Sequence, residues 1–77
     1  MVTVLRDSGF RIVIFANDHK PAHVHAVKDN GQAKINIAAG VDLVSAYGLE
    51  KTEVRKAVAI VEQNRELLLE RWSEIHG

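Results

Sequence analysis

The sequence contains no cysteine, a single proline, and no uninterrupted apolar run longer than five residues. Without cysteine there are no disulfide bonds, thiolate nucleophiles or thiolate metal ligands. Apolar runs this short exclude a membrane-spanning helix, which needs about 20 such residues. Ten basic residues balance ten acidic ones, so the chain lacks the basic excess typical of generic polyanion-binding proteins. No basic segment precedes a long apolar stretch near the N-terminus, so we expect no secretory signal and a cytoplasmic protein.

The length and composition predict one folded domain. A chain of 77 residues has room for one hydrophobic core and lies near the lower limit for folding without disulfide bonds. Hydrophobic residues make up 47% of the sequence and charged residues 26%, as in globular proteins and unlike disordered ones. We therefore expect a single domain over residues 1–77.

The first half of the chain alternates between β-branched segments and turns. Residues 2–6, 10–15, 23–28 and 32–37 have the composition or the alternation of strands. Turn-forming residues separate these segments at positions 7–9, 17–21 and 29–31. This order predicts an antiparallel meander of four strands.

The second half of the chain predicts helical structure. Residues 42–47 are expected to form a short helical turn, capped by Asp42 and closed by Gly48. From Glu50 onward the apolar residues recur at helical spacing, which predicts one long helix over residues 51–75, weakest at residues 63–65. The expected fold is therefore α+β: a four-stranded antiparallel β-meander, a short helical turn, and one long C-terminal helix packed on one face of the sheet.

Strand alternation assigns the side chains of the predicted sheet to two faces. Toward the helix we expect an aliphatic face formed by Ile12, Ile14, Val24, Ala26, Ile35 and Ile37. The opposite face is expected to be polar and open, and it combines Arg11, Val13, Phe15, His23, His25, Val27, Lys34 and Asn36. Any chemistry of the protein is expected on this second face.

Three histidines, His19, His23 and His25, lie within seven residues around Pro21. His23 and His25 are two apart on a predicted strand, so they project to the same side with about 7 Å between their Cα atoms. Together with Asp18, three imidazoles are suited to binding zinc or another divalent ion. Histidine is equally suited to general acid–base catalysis, because its ordinary pKa lies near neutrality. A third interpretation is that these histidines are structural or merely exposed.

Among these alternatives we expect no cofactor and no tightly bound metal, because no acidic residue lies at a clear ligand spacing. The acid–base interpretation makes His19, His23 and His25 the candidate catalytic residues of a metal-independent ribonuclease, in which one imidazole takes the 2′-hydroxyl proton. Cationic side chains, together with one ring on which a base can stack, are the candidate RNA or phosphate contacts: Arg11, Phe15, Lys20, Lys28 and Lys34.

The length of the predicted helix also predicts an interface. About 25 helical residues span roughly 37 Å, whereas a strand of six residues covers only about 20 Å. The C-terminal half of the helix would therefore overhang the sheet, and we expect a second copy or a partner to cover it. In the alternative, residues 43–47 fold back and cover it within one chain. The apolar residues of the overhang are Leu67, Leu68, Leu69, Trp72 and Ile75.

Several short motifs, distributed over nearly the whole chain, point to one family. The most specific is Asn-Asp-His-Lys-Pro-Ala-His-Val-His at residues 17–25, followed by Gly-Gln-Ala-Lys at 31–34, Tyr-Gly-Leu at 47–49 and Asn-Arg-Glu-Leu-Leu at 64–68. With these motifs the chain resembles the small bacterial family known as domain of unknown function 4160. Ala22 departs from that family, which usually has a second proline there.

The resemblance implies a type II toxin–antitoxin module in which this chain is the toxin and lowers translation. It implies a cognate antitoxin encoded beside it, and RNA or the translation machinery as the target. The motif positions His19, Pro21, His23 and His25 are carried over as candidate active residues. A second copy of the chain is a further candidate partner, and a membrane is not. The competing prediction is a non-enzymatic protein-interaction or regulatory module.

Overall fold

The computed structural model describes residues 1–77 and contains a five-stranded antiparallel sheet followed by two helices. Each strand pairs with the next strand in sequence, so the spatial order is β1-β2-β3-β4-β5. Neither helix combines the length and the hydrophobicity that crossing a membrane requires. In chain order the elements are β1 Val2–Asp7, β2 Phe10–Ile14, β3 His23–Lys28, β4 Gly31–Asn36, β5 Asp42–Tyr47, α1 Lys51–Gln63 and α2 Arg65–His76.

The prediction of a four-stranded sheet is wrong, because residues 42–47 form the fifth strand instead of a helical turn. This strand pairs antiparallel with β4, with Ala33 opposite Ala46 and Gln32 opposite Tyr47. All six of its residues are exposed, so it has no buried face that would leave an apolar alternation in the sequence. Pairing with the otherwise open edge of β4 decides its conformation, and local helix signals do not.

The prediction of one long helix over residues 51–75 is also wrong, because the helix is interrupted at Asn64. The backbone of Asn64 has φ −118° and ψ 16°, which is outside the helical region. Its side-chain Nδ2 donates a hydrogen bond of 2.8 Å to the carbonyl oxygen of Ile60. The backbone N–H of Asn64 also donates to the carbonyl oxygens of Ile60 and Val61, each at 3.2 Å, so Asn64 closes the last turn of α1.

Arg65 then attaches the start of α2 to the end of the sheet. Its Nε donates to the carbonyl oxygen of Ile37 at 2.9 Å, and its Nη2 donates to that of Ala38 at 3.0 Å. Because the chain turns here, α2 returns to the core, where Leu68 is 0% exposed and Trp72 is 6% exposed. The overhang that the interface prediction requires is therefore absent.

The other apolar residues of α2 are divided between the core and the surface. Leu69 and Ile75 are partly buried against the core of the same chain, and Leu67 is 40% exposed. Residues 43–47 lie in β5, so they do not fold back over α2 as the alternative prediction supposes. The helix break alone explains how most of this apolar surface is buried within one chain.

The hydrophobic core lies between the two helices and one face of the sheet. The side chains expected on that face are all fully buried there, which confirms the alternation predicted for them: Ile12, Ile14, Val24, Ala26, Ile35 and Ile37. The helices contribute Ala57, Ile60, Val61, Leu68 and Trp72 to the same cluster. Burial of one continuous aliphatic face is the main source of stability in a domain this small.

The turn between β3 and β4 packs backbone against backbone on the end of β5. Gly31 lies so close to Gly48 that a Cβ atom on Gly31 would overlap the Gly48 carbonyl group and lie 2.5 Å from Cδ2 of Leu49. Gly48 itself has φ +68°, in the left-handed region that favours glycine. Only glycine at position 31 permits this approach.

Candidate functional site

The sheet face opposite the helices carries His23 and His25, as alternation predicts, but its centre is buried and not open. His23 is 4% exposed, Val13 is fully buried, and the side chain of His25 is 12% exposed. Trp72 of α2 belongs to the core and also contacts the His23 ring, with 5.3 Å between the ring centroids. The expected open polar face is therefore restricted to the margin of this buried centre.

Five rings form a continuous row through the buried centre. The successive centroid distances are 4.8 Å from Phe15 to His25, 5.4 Å from His25 to His23, 5.3 Å from His23 to Trp72, and 3.7 Å from Trp72 to His76. The first two contacts are edge-to-face and the last is stacked. Packing on both sides holds the planes of the two central imidazoles in place.

Asp18, in the loop between β2 and β3, directs its carboxylate at both buried histidines. Its Oδ2 lies 3.2 Å from Nε2 of His23 and 3.6 Å from Nε2 of His25. The backbone N–H of Phe15 donates to the same oxygen at 3.3 Å, and the backbone N–H of Asp18 donates to the Phe15 carbonyl oxygen at 3.1 Å. These reciprocal bonds fix the carboxylate. We call Asp18, His23 and His25 the Asp–His cluster.

The position of the ring proton on His23 follows from its neighbours. Nδ1 of His23 lies 2.8 Å from the carbonyl oxygen of Pro21, which can only accept, so Nδ1–H is the donor. A neutral His23 then carries its lone pair on Nε2, facing the carboxylate of Asp18. That arrangement is favourable only when Nε2 is also protonated or when a cation lies between the two groups.

His25 is held by the side chain of Gln32. Nδ1 of His25 lies 2.8 Å from Nε2 of Gln32, and the hydroxyl of Tyr47 donates to Oε1 of Gln32 at 3.5 Å. With the amide in this orientation, a neutral His25 carries its proton on Nε2. That atom is buried and has no hydrogen-bond partner. Rotation of the Gln32 amide by half a turn would place its oxygen against Nδ1 and move the ring proton there.

Burial lowers the pKa of His25 below its ordinary value of 6.5, an effect reinforced by the charges of His23 and Lys34 and opposed by Asp18. We expect the His25 ring resonances of the metal-free protein to titrate with a midpoint below 6.5 in NMR spectra. The unfolded chain takes up this proton at higher pH than the folded chain. The contribution to stability is therefore complete above 6.5 and is lost as the pH falls through the lower, folded pKa. A midpoint at or above 6.5, or stability that rises on acidification through this range, would contradict the prediction.

A polar pocket of about 310 Å³ opens beside the Asp–His cluster, and Asp18 and His23 are part of its wall. Two ammonium groups and one exposed imidazole line it, contributed by Lys20, Lys34 and His19. The remainder of its wall combines the amides of Asn17 and Asn36 with apolar surface that includes Pro21 and Val44 of β5. The pocket therefore suits a charged or strongly polar ligand.

The structure brings together only some of the side chains predicted to contact RNA. Lys20 and Lys34 line the pocket, whereas Phe15 packs edge-on against His25. Arg11 shares the histidine face but lies opposite Val27 and outside the pocket.

Lys28 is placed on the other side of the sheet. Its ammonium group forms an ion pair of 3.2 Å with Glu53 of α1 and lies 5.4 Å from the centre of the Phe10 ring. It therefore faces the helices and takes no part in the histidine face.

Sequence reasoning missed Gln32, and it grouped Asp18 with the histidines without predicting that one carboxylate oxygen lies close to the rings of both His23 and His25. The signal for Gln32 was present in the tight turn after β3, because pairing Lys28 with Gly31 places Gln32 diagonally across from His25. No spacing rule indicates Asp18, since its position depends on the path of the loop.

Comparison with known proteins adds one finding. The model of a family described as "Domain of unknown function (DUF4160)" matches residues 9–73, which include the whole Asp–His cluster and the residues that line the pocket. No curated protein and no solved structure matches the chain.

Proposed function

The chain belongs to the DUF4160 family, as the motif at residues 17–25 predicts, and from this premise we propose that it is the toxin of a type II toxin–antitoxin module. In this proposal it impairs translation by binding or cleaving RNA at the pocket beside the Asp–His cluster. Such a target places its action in the cytoplasm. The observation that carries the proposal is the convergence of His19, Lys20 and Lys34 on one polar pocket.

Local charge supports a phosphate ligand although the chain as a whole has no net charge. Phosphate contacts need cations at the site and not over the whole surface. Lys20 and Lys34 supply two ammonium groups within one pocket, and the side chains of Asn17 and Asn36 add donors and acceptors for sugar or base atoms. The nearest carboxylate, that of Asp18, is turned toward the buried histidines.

His19 is the imidazole best placed for acid–base chemistry in the pocket. The hydrogen bonds and ion pairs of histidine rings in this structure involve His23, His25 and His76, and His19 is exposed. In cleavage, neutral His19 takes the proton of the 2′-hydroxyl while the 2′-oxygen bonds to phosphorus. The bond from phosphorus to the 5′-oxygen breaks, that oxygen takes a proton from solvent, and a 2′,3′-cyclic phosphate remains. Lys34 stabilises the charge on the phosphoryl oxygens.

Removal of the Lys34 charge is the sharpest test of the RNA contact. We expect Lys34→Gln to weaken binding of a single-stranded RNA and to reduce the slope of log K against log salt by about 0.7–1, because one phosphate contact is lost. Fluorescence anisotropy over a salt series measures both quantities. The matched control is Lys56→Gln, the same change at an exposed position on α1, which should leave affinity and slope unchanged. Equal effects of the two substitutions would contradict the assignment of the pocket.

Tightly controlled expression separates cleavage from occlusion. We expect the wild-type protein to arrest growth and Lys34→Gln to relieve the arrest. Relief by His19→Gln, with loss of 2′,3′-cyclic phosphate ends on cellular RNA, supports cleavage. Arrest that persists with His19→Gln but not with Lys34→Gln supports binding alone. Neither growth arrest nor RNA affinity in the wild-type protein would contradict the toxin proposal.

An interaction module without enzymatic activity is the second candidate, and the exposed edge strand favours it. β5 lies at the edge of the sheet and exposes 46% of Leu43, 50% of Val44 and 64% of Tyr47. An open edge of this kind can pair with a strand of another protein, such as the cognate antitoxin or a second copy. Because Val44 also lines the pocket, a partner on this edge would lie beside it.

Co-expression with the protein encoded next to this one tests the partner. We expect the two to co-purify, and we expect Val44→Lys, which places a charge on the edge strand, to weaken the complex in sedimentation experiments. Co-purification combined with no growth arrest from the chain alone would favour the interaction module over the toxin.

A further inference from the structure

We propose that the Asp–His cluster is a binding site for one divalent transition-metal ion of the zinc class. The ligands would be Oδ2 of Asp18, Nε2 of His23 and Nε2 of His25. This goes beyond the proposed action on RNA and replaces the expectation, drawn from sequence spacing, that no metal binds tightly.

The two separations that involve the carboxylate match those of ligands that share one ion. Zinc bonds of about 2.0–2.1 Å in tetrahedral geometry place neighbouring ligand atoms about 3.4 Å apart. Oδ2 of Asp18 lies 3.2 Å and 3.6 Å from the two Nε2 atoms, and all three atoms lie within 4.8 Å of one another, so a shared ion would draw the two imidazoles closer together. A direct bond between imidazolium and carboxylate is shorter, about 2.7–2.9 Å. The observed spacing leaves room for an ion between these groups.

The surroundings of His23 prepare it as a metal ligand. Its Nδ1–H donates to the Pro21 carbonyl oxygen at 2.8 Å, which leaves the lone pair on Nε2. A backbone carbonyl behind a ligating histidine is a common outer partner, since it fixes both the tautomer and the ring plane. Trp72 packs on the same ring and excludes water from one side.

His25 supplies the second independent observation. Its Nε2 is buried, points into the cluster and has no hydrogen-bond partner, which is costly for a polar atom unless something binds there. A metal requires the proton on Nδ1, and the Gln32 amide can accept it after rotating by half a turn. In that orientation the amide nitrogen of Gln32 donates to the Tyr47 hydroxyl. The hydroxyl then accepts a hydrogen bond from Gln32 instead of donating one.

The cluster has an entry path and leaves a coordination position unfilled by protein. Asp18 and His23 also line the polar pocket, so a fourth ligand would come from there. Two imidazoles and one carboxylate with an open position are the donor set of catalytic zinc sites, whereas structural zinc sites are filled by four protein ligands. The fourth ligand would be an exchangeable oxygen atom of water or phosphate.

Calorimetric titration of the untagged protein with Zn²⁺, after removal of metal by a chelator, tests the site. We expect one equivalent to bind per chain, and Co²⁺ to bind with the visible absorption of a low-symmetry site. Asp18→Asn keeps the shape of the side chain and an acceptor for Phe15 N–H, and we expect it and His25→Gln each to lower the affinity at least tenfold. His76→Gln removes a histidine outside the cluster and should leave the affinity unchanged. Thermal unfolding of each variant verifies that it is folded.

The role of Gln32 gives a test that leaves all three ligands in place. Gln32→Leu removes the acceptor for Nδ1–H, and we expect it to weaken Zn²⁺ binding by about 10- to 100-fold. Gln32→Glu restores an acceptor and should recover most of that loss. No titratable heat with Zn²⁺, or equal affinity in the wild type, Asp18→Asn and His25→Gln, would overturn the site. These titrations contain no RNA, so their failure is distinct from failure of the RNA-directed function.

Discussion

Replacement of Trp72 with alanine is expected to lower the free energy of unfolding by about 3–5 kcal/mol, the usual cost of removing a large buried aromatic side chain. Trp72 is 6% exposed and belongs to the core, and its ring also contacts His23 and stacks on His76. A domain of this size has a total stability of about 5–10 kcal/mol, so the variant should be close to unfolded at moderate temperature. Urea denaturation followed by far-UV circular dichroism measures the change.

Two further variants and one dilution series separate packing within the chain from an interface. Trp72→Phe keeps a ring in the core and should lose less than half as much stability. Leu67→Ala changes an exposed residue of the same helix and should cost no more than about 0.5 kcal/mol. Because Trp72 is buried within one chain, the unfolding midpoint should not depend on protein concentration. A midpoint that rises with concentration and loses this dependence in Trp72→Ala would place Trp72 in an interface instead.

Gly31→Ala is expected to destabilise the protein by about 3 kcal/mol or more, although it adds only one methyl group. The new Cβ atom would overlap the Gly48 carbonyl group, which is backbone and cannot rotate away, and would crowd the side chain of Leu49. Overpacking usually costs about 1–3 kcal/mol, and the cost is larger where the obstacle is rigid. Relief of the clash would require the end of β5 to separate from the turn between β3 and β4.

Asn30→Ala is the matched control for this clash. Asn30 is exposed and adjacent in the same turn, and its replacement should change the stability by no more than about 0.5 kcal/mol. Amide hydrogen exchange gives a second readout, because Gly31→Ala should reduce protection in β5 before it reduces protection in β2 and β3. An unchanged unfolding midpoint for Gly31→Ala would show that β5 is not packed on this turn.

Alternation identified the strands that place one aliphatic face in the core. In β2, β3 and β4 the aliphatic side chains assigned to the core are fully buried, although Val13 and His23 on the opposite face are buried as well. β5 could not be recognised in this way, because a strand that is exposed throughout leaves no alternation. Its identity depends on the open edge of β4, which is a property of the sheet and not of residues 42–47.

The break at Asn64 is a second feature of the fold that the sequence pattern did not predict. Residues 63–65 were recognisable as the weakest part of the predicted helix, but a weak helical segment does not by itself change the direction of the chain. The turn is stabilised by Arg65, whose guanidinium bonds to Ile37 and Ala38 at the far end of β4. Contacts between residues so distant in sequence leave no periodic signal. The predicted overhang and its interface depended on this one position.

The candidate site was predictable in part for the same reasons. Alternation alone places His23 and His25 on one face, and the motif at residues 17–25 identified the correct segment. The approach of Asp18 depends on the path of the loop, and the burial of His23 depends on Trp72, which the helix break returns to the core. Alternation therefore assigned the two histidines to the correct face, whereas the prediction that this face is open was wrong at its centre.

The two halves of the buried centre come from opposite ends of the chain, and this has a consequence during protein synthesis. Asp18, His23 and His25 all belong to the β2–β3 loop and β3, whereas the ring that packs on His23 is part of α2. A ribosome releases the chain from its N-terminus, so the hairpin that carries the polar groups emerges well before α2 does. Throughout that interval the imidazole of His23 is in contact with water. In a nascent chain, the residues of the Asp–His cluster are thus exposed to solvent before α2 can cover His23.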